Sequence, residues 1–287
     1  MITELERKRI IDLIHQEVVP AIGCTEPIAV ALCVAKATET LGMKPEKINV
    51  LLSANILKNA MGVGIPGTGM IGLPIAIALG TLIGKSEYQL EVLKDSNPDA
   101  VEEGKRFIEE KRIHISLKEN IEEKLYIEIC CEAGDNRATA VIAGGHTTFI
   151  YIERNGEILL QKQHIAGDEE EEEIVELNLR KVYDFALNTP LDEIRFILET
   201  ARLNKIAAER SFEGEYGHCL GKILRGTYEH KVMGDSVFSH ILSYTSGACD
   251  ARMAGAMIPV MSNSGSGNQG ISATCLLYTS PSPRDTR

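Results

Sequence analysis

Apolar positions recur along this chain in two periods, and the change from one to the other marks out its parts. Between Glu4 and Val19, residues Ile10, Ile14 and Val18 fall on one stripe with charges opposite, which predicts an amphipathic helix ended by Pro20. Ile28 to Val34 is apolar all round, so a buried helix is expected there. Thr25 is its expected N-cap, with Pro27 in the first turn and a stop at Gly42. Ile48 to Ala54 reads as a short strand. A glycine-rich stretch, Asn59 to Gly69, opens an apolar helix from about Met70 to Ile83, and Asn97-Pro98 caps a charged helix running to Lys111.

From Arg112 to Gln163 the period becomes two and β-branched residues dominate. Strands are expected at Ile113–Leu117, Leu125–Cys131, Ala138–Ile142 and Thr147–Ile152, with turns at Gly134-Asp135-Asn136 and Asn155-Gly156. This predicts an antiparallel sheet. Cys130 and Cys131 are neighbours on one strand, point to opposite faces and are poorly placed to share one ion. Helices are then expected over roughly 173–187, 191–210, 219–230 and 237–257, and the acidic run Asp168–Glu173 reads as a solvated helix start. The fold class is α+β: a helical body carrying the site, with the antiparallel sheet as a lobe. The expected parts are 1–111, 112–165, 166–274 and a tail, 275–287, that shares no pattern with the rest.

Composition narrows the class of partner. Of the 287 residues, 44% are hydrophobic and 25% charged, as in soluble globular proteins. A net charge of −11 argues against nucleic acid or an anionic membrane surface. Seven irregularly spaced cysteines and a charged N-terminus, Met1 to Arg9, point to the reducing cytoplasm. No run reaches about 18 uninterrupted apolar residues, so no membrane span is expected. A small molecule is the expected partner, and self-association into a homo-oligomer stays open.

The candidate chemistry sits in loops. Ser262-Asn263-Ser264-Gly265-Ser266-Gly267-Asn268-Gln269-Gly270 has neither charge nor an apolar side chain, yet follows the apolar run Ala254–Met261. Its backbone N–H groups, hydroxyls and amides suit a ligand bearing a carboxylate and an ammonium, such as an amino acid. The competing reading is a flexible Gly/Ser linker. Cys24 is expected at the mouth of the buried helix, where partial positive charge lowers a thiol's pKa. Gly62, Gly64 and Gly67 spell a dinucleotide fingerprint, but Pro66 and the early strand end argue against it. An anion site at the following helix remains the better reading of that loop. His146 stands between glycines and hydroxyls in Gly144-Gly145-His146-Thr147-Thr148.

Three of these segments carry a resemblance. Pro20-Ala21-Ile22-Gly23-Cys24-Thr25-Glu26-Pro27, the Asn59–Gly69 loop, and Asp250-Ala251-Arg252-Met253 leading into Ser262–Gly270 are similar to the L-cysteine desulfidase family. That family is related to the iron–sulfur L-serine dehydratase α-subunit. The resemblance implies a pyridoxal-independent α,β-elimination from L-cysteine, giving pyruvate, ammonia and sulfide, and a [4Fe–4S] cluster with one open iron. Cys24 matches the family's N-terminal functional cysteine and is the expected metal residue. The remaining cluster cysteines are expected beyond this chain's end. The implied substrate-binding residues are Asn59, Gly67, Ser262, Asn263, Ser264, Gly265, Ser266, Gly267, Asn268 and Gln269. His146 is the first candidate for the base, with Lys58 behind it. L-Serine dehydratase is the competing enzyme reading, and a non-catalytic amino-acid-binding protein the competing reading of another class. Because Pro281 and Pro283 break any continuing element, Leu276–Arg287 is expected to pack against nothing. The natural chain is expected to continue past about Thr274, and this polypeptide alone to be inactive, with an exposed apolar patch where further helices belong.

Overall fold

A computed structural model describes residues 2–121, 123–162, 176–226, 234 and 236–279. The chain opens with α1 (Glu4–Glu17), closed at its start by a reciprocal Thr3/Glu6 capping box. A three-residue strand, β1 (Pro20–Ile22), leads into α2 (Thr25–Leu41). Every residue of α2 from Ile28 to Ala35 is buried, as an all-round apolar helix requires. Its N-cap is Cys24 rather than the expected Thr25. Thr25 instead occupies the first helical position and donates its hydroxyl to Glu26 Oε2.

β2 (Lys47–Leu52) precedes a short helix, α3 (Ala54–Ala60), and then α4 (Leu73–Leu82). In α5 (Pro98–Glu109) the Asn97 side chain accepts from Ala100 N as expected. Five strands follow: β3 (Ile113–Leu117), β4 (Tyr126–Ala133), β5 (Asn136–Ala143), β6 (Phe149–Arg154) and β7 (Glu157–Gln161). They form one sheet with β2, in the order β3-β2-β4-β5-β6-β7.

The α+β class is as expected, but the sheet is mixed. β2 runs parallel to β3, with Val50 beside Ile115, and antiparallel to β4. The reason is burial: Ile48, Val50 and Leu52 are all 0% exposed, so β2 gains more as an interior strand than beside the helices. α2 packs between this sheet and α4, and α4 in turn carries α5. Their core runs from Ala21 to Ile142 and is built of Ala, Ile, Leu and Val with Phe107.

The second half is helical: α6 (Leu179–Asn188), α7 (Leu198–Glu213), α8 (Leu220–Arg225), α9 (Val237–Met253) and α10 (Gly267–Thr279), with β8 (Pro259–Met261) between the last two. α1 leans on this half, where Lys181 pairs with Glu6 at 2.9 Å and His15 stacks on Phe196 at 3.8 Å. The expected acidic run Asp168–Glu173 lies outside the described residues, as do 227–230 of the third expected helix.

Residues Cys275–Thr279 complete α10. Leu276 and Leu277 are exposed, but Tyr278 sits 5.8 Å from the Tyr244 ring. The expectation that the chain packs against nothing from Leu276 onward therefore does not hold at Tyr278, because α10 carries its side chain onto α9. Residues 280–287 lie outside the described ones. No helix among the described residues is long and apolar enough to cross a membrane.

Candidate functional site

Two backbone contacts bring the distant halves together. β8 pairs antiparallel with β1, setting Ala21 opposite Val260. The pairing is extended where Ser262 donates both its N–H (2.9 Å) and its hydroxyl (2.7 Å) to Val19 O. The second contact is Gly64 N–H to Met253 O at 3.0 Å. A Cβ at Gly64 would lie 2.5 Å from the Ala254 carbonyl, so the two backbones touch only because that residue is glycine. Buried Asn204 holds β8 from the other side, accepting from Met261 N and donating to Met261 O and Thr274 Oγ1.

At this seam lies a cavity of about 210 Å³, lined by Cys24, Thr25, Glu26 and Asn59 from the sheet half and by Arg252, Met253, Ser266 and Asn268 from the helical half. That is smaller than the roughly 300–1,000 Å³ typical of pockets for drug-sized molecules. It suits a small metabolite.

The expected site residues, Cys24 for metal and the others for substrate, divide. Cys24, Asn59, Ser266 and Asn268 line the cavity. Ser262 is fully buried and spent on Val19. In the Ser262–Gly270 segment several N–H groups are consumed internally: Asn263 N–H and Ser266 N–H cross-bond to each other's carbonyls, Ser264 N–H goes to Glu17 O, and Gln269 N–H to Ser266 Oγ. The segment is a tight turn running into α10, not an open cradle. The Gly62–Gly69 loop is likewise spent, since Gly67 N–H bonds Gly255 O and its Cα faces Met257. Gly67 thus serves the seam and is not among the cavity-lining residues. Lys58 is exposed on α3 and does not line the cavity either.

His146 follows β5, in the loop to β6, and its half-buried ring abuts Gly265, where a Cβ would come within 2.5 Å of Nδ1. Gly265 also has φ +70°, which strains other residues. Burial, opposed by the Glu26 carboxylate, holds the His146 pKa below the ordinary histidine value. The imidazole is neutral near pH 7. Burial works against the Glu26 carboxylate, but it is held ionised because the Cys24 thiol, at 2.9 Å, donates to it and Thr25 Oγ1 adds to the effect.

The Cys24 thiol differs from expectation. Its pKa is pushed up to about 12, first by burial and then by the Glu26 carboxylate, while the Arg252 cation opposes the shift. Desolvation at this buried residue outweighs the pull of the helix N-terminus. In this state Cys24 is a protonated thiol.

Arg252, Glu26, Thr25 and Met253 were not among the expected site residues. Arg252 ends α9 and is 4% exposed. The available signal was its place in Asp250-Ala251-Arg252-Met253, one of the three segments that carry the resemblance. A [4Fe–4S] cluster needs several thiolates within reach of one another. Among the described residues, no three His, Cys, Asp or Glu side chains converge as a metal site, and Cys24 is the one cysteine on the cavity wall. These residues do not by themselves fit the cluster.

Comparison with known proteins places this architecture. A UPF0597 protein of Bacteroides fragilis is 81% identical over 272 residues, which is 95% of this chain and 64% of the relative. A UPF0597 protein of Parabacteroides distasonis is 62% identical over 271 residues, 93% of this chain and 63% of the relative. One from Chromobacterium violaceum is 45% identical over 264 residues, 91% of this chain and 61% of the relative. The chain therefore spans less than two thirds of the length of these relatives. No solved structure matches it. The model of the serine dehydratase alpha chain family matches residues 87–283, taking in β3 to β7 of the sheet, α6 to α10 and the helical wall of the cavity, and the chain belongs to that family.

Proposed function

We propose that the seam cavity is the substrate site of an α,β-eliminating lyase acting on a small amino acid, with L-cysteine as substrate and pyruvate, ammonia and sulfide as products. The observation that carries this reading is the convergence of Cys24, Glu26, Asn59 and Arg252 on one small polar cavity, with His146 beside it. Family membership supports the reaction class. The specific substrate and the activity of the whole protein are part of the proposal.

The residues divide the work as follows. Neutral His146 accepts the Cα proton. The electron pair left on Cα forms the Cα–Cβ double bond as the Cβ–S bond breaks and sulfur leaves with that bond's pair. The aminoacrylate released tautomerises to the imine, which water hydrolyses to pyruvate and ammonia. Asn59 and Asn268 orient the substrate, and the Cys24 thiol, donated to Glu26, keeps that carboxylate fixed.

L-Serine is the second reading, favoured by the family's description. It differs in losing water instead of sulfide. Anaerobically reconstituted protein of the relatives' full length should release pyruvate from L-cysteine together with equimolar sulfide. Pyruvate from L-serine at a higher kcat/KM would assign the dehydratase. Absence of pyruvate from both substrates, with tight binding of either, would leave the non-catalytic binding protein.

A further inference from the structure

The least explained group in the molecule is the Arg252 guanidinium. It is 4% exposed, yet none of its nitrogens meets a carboxylate within 4.0 Å among the described residues. Nη1 donates to Asn268 Oδ1 at 2.9 Å and touches Met253 sulfur at 3.6 Å, while buried Nε has no partner. Guanidinium carries five donors in a planar fork suited to a carboxylate. A buried cation left without a counter-charge costs several kcal/mol, and the single bond to Asn268 does not offset that.

Room for a counter-ion is the cavity itself, whose wall Arg252 helps to form. The other edge of the guanidinium is closed by Gly267, where a Cβ would overlap Arg252 Nε and lie 2.7 Å from Cζ, so only glycine lets the backbone pack there. The cavity's opposite charge comes from Glu26, on the wall formed by the start of α2, outside ion-pair distance of Arg252. A cation and an anion share one small cavity without neutralising each other.

We propose that Arg252 and Glu26 form a clamp for an α-amino-acid zwitterion, with the carboxylate on the cavity face of Arg252 and the ammonium on Glu26. This deepens the reading of the cavity as an amino-acid site and rests on it. It assigns the carboxylate to a buried side chain instead of the backbone of the Ser262–Gly270 turn. It also makes both charges of the substrate a condition of entry.

Calorimetric titration of the 287-residue chain with L-alanine, propionate and ethylamine tests the clamp without requiring turnover. L-Alanine carries both charges, propionate lacks the ammonium and ethylamine lacks the carboxylate. L-Alanine should bind at least about tenfold more tightly than either. Arg252→Met should erase the difference between L-alanine and ethylamine, and Glu26→Gln that between L-alanine and propionate. Equal affinity of the unaltered chain for all three probes, or no binding of any, overturns the clamp. So does an Arg252→Met variant, folded by circular dichroism, that keeps its preference for L-alanine over ethylamine. If Arg252→Met does not fold, Arg252→Lys decides: it keeps the charge but loses the fork, and L-alanine should bind several-fold more weakly, with unchanged binding counting against the clamp. Charge-dependent binding in a protein that releases no pyruvate would sink the lyase and leave the clamp. Pyruvate release with KM unchanged by Arg252→Met would do the reverse.

Discussion

The sheet half and the helical half bury their apolar residues to very different extents. In the first, a continuous core joins α2, α4, α5 and the sheet from Ala21 to Ile142. In the second, the buried apolar cluster among the described residues is Ala207, Ala208, Ala248, Val260 and Ile271, three of them alanines. The helical half instead shows large apolar side chains to solvent, among them Leu179 at 86% and Leu191 at 78% exposure. Each fully buried Leu or Ile contributes about 1.5–3 kcal/mol. The sheet half therefore has the material to fold cooperatively, whereas the helical half leans on it through β1–β8 and the Gly64 contact. The cavity is built where the self-sufficient half meets the dependent one, which makes its geometry sensitive to that seam.

The largest expected effect lies across the seam itself. His146 belongs to the sheet half but abuts Gly265 of the helical half. With His146 as the base, His146→Gln should lower kcat/KM by about 10²–10⁴-fold, the usual share of a general base. Because burial lowers its pKa, the neutral base persists to lower pH than an ordinary histidine would allow. The acid limb of the kcat/KM profile should accordingly fall below the ordinary histidine range, and a limb above it would exclude His146.

Next comes the core of the sheet half. Leu32 is 0% exposed at the centre of α2, and Leu32→Ala should cost about 2–5 kcal/mol in urea denaturation. A loss under about 1 kcal/mol would mean that this core is not the stabilising unit.

At the seam, Gly64→Ala forces two backbones apart and should cost about 1–3 kcal/mol, as overpacking does. It should also weaken amino-acid binding, since Arg252 and Met253 ride on the displaced strand of contacts. An alanine variant with wild-type stability and affinity would show that the halves do not depend on this approach. The smallest effect is expected on the helical surface: Leu198, 64% exposed, should tolerate Leu198→Ser within about 0.5 kcal/mol. A larger loss in thermal denaturation would reveal a partner on that face.

What could be read without the structure follows the same divide. α2 was legible from its all-round apolar run and its stop at Gly42, though not its N-cap, α5 from its Asn97 cap, and β4 to β6 because period two and turn residues coincide. Asn59, Ser266 and Asn268 were legible as polar groups in glycine-rich loops, and Cys24 by its place before a buried helix. The parallel pairing of β2 with β3 was not, since strand partners 65 residues apart, such as Ile48 and Ile113, leave no local mark. The protonated state of Cys24 was hidden because it is set by desolvation, which depends on what packs over the sulfur. Arg252 reads locally as the basic end of a helix, where the backbone dipole favours a cation. Its burial against Gly267, and its facing Glu26 across a cavity, arise from the β1–β8 pairing of segments more than 200 residues apart. Local propensity wrote the elements of this protein; long-range pairing decided which charges meet, because electrostatic interaction depends on distance and burial in space and not on position along the chain.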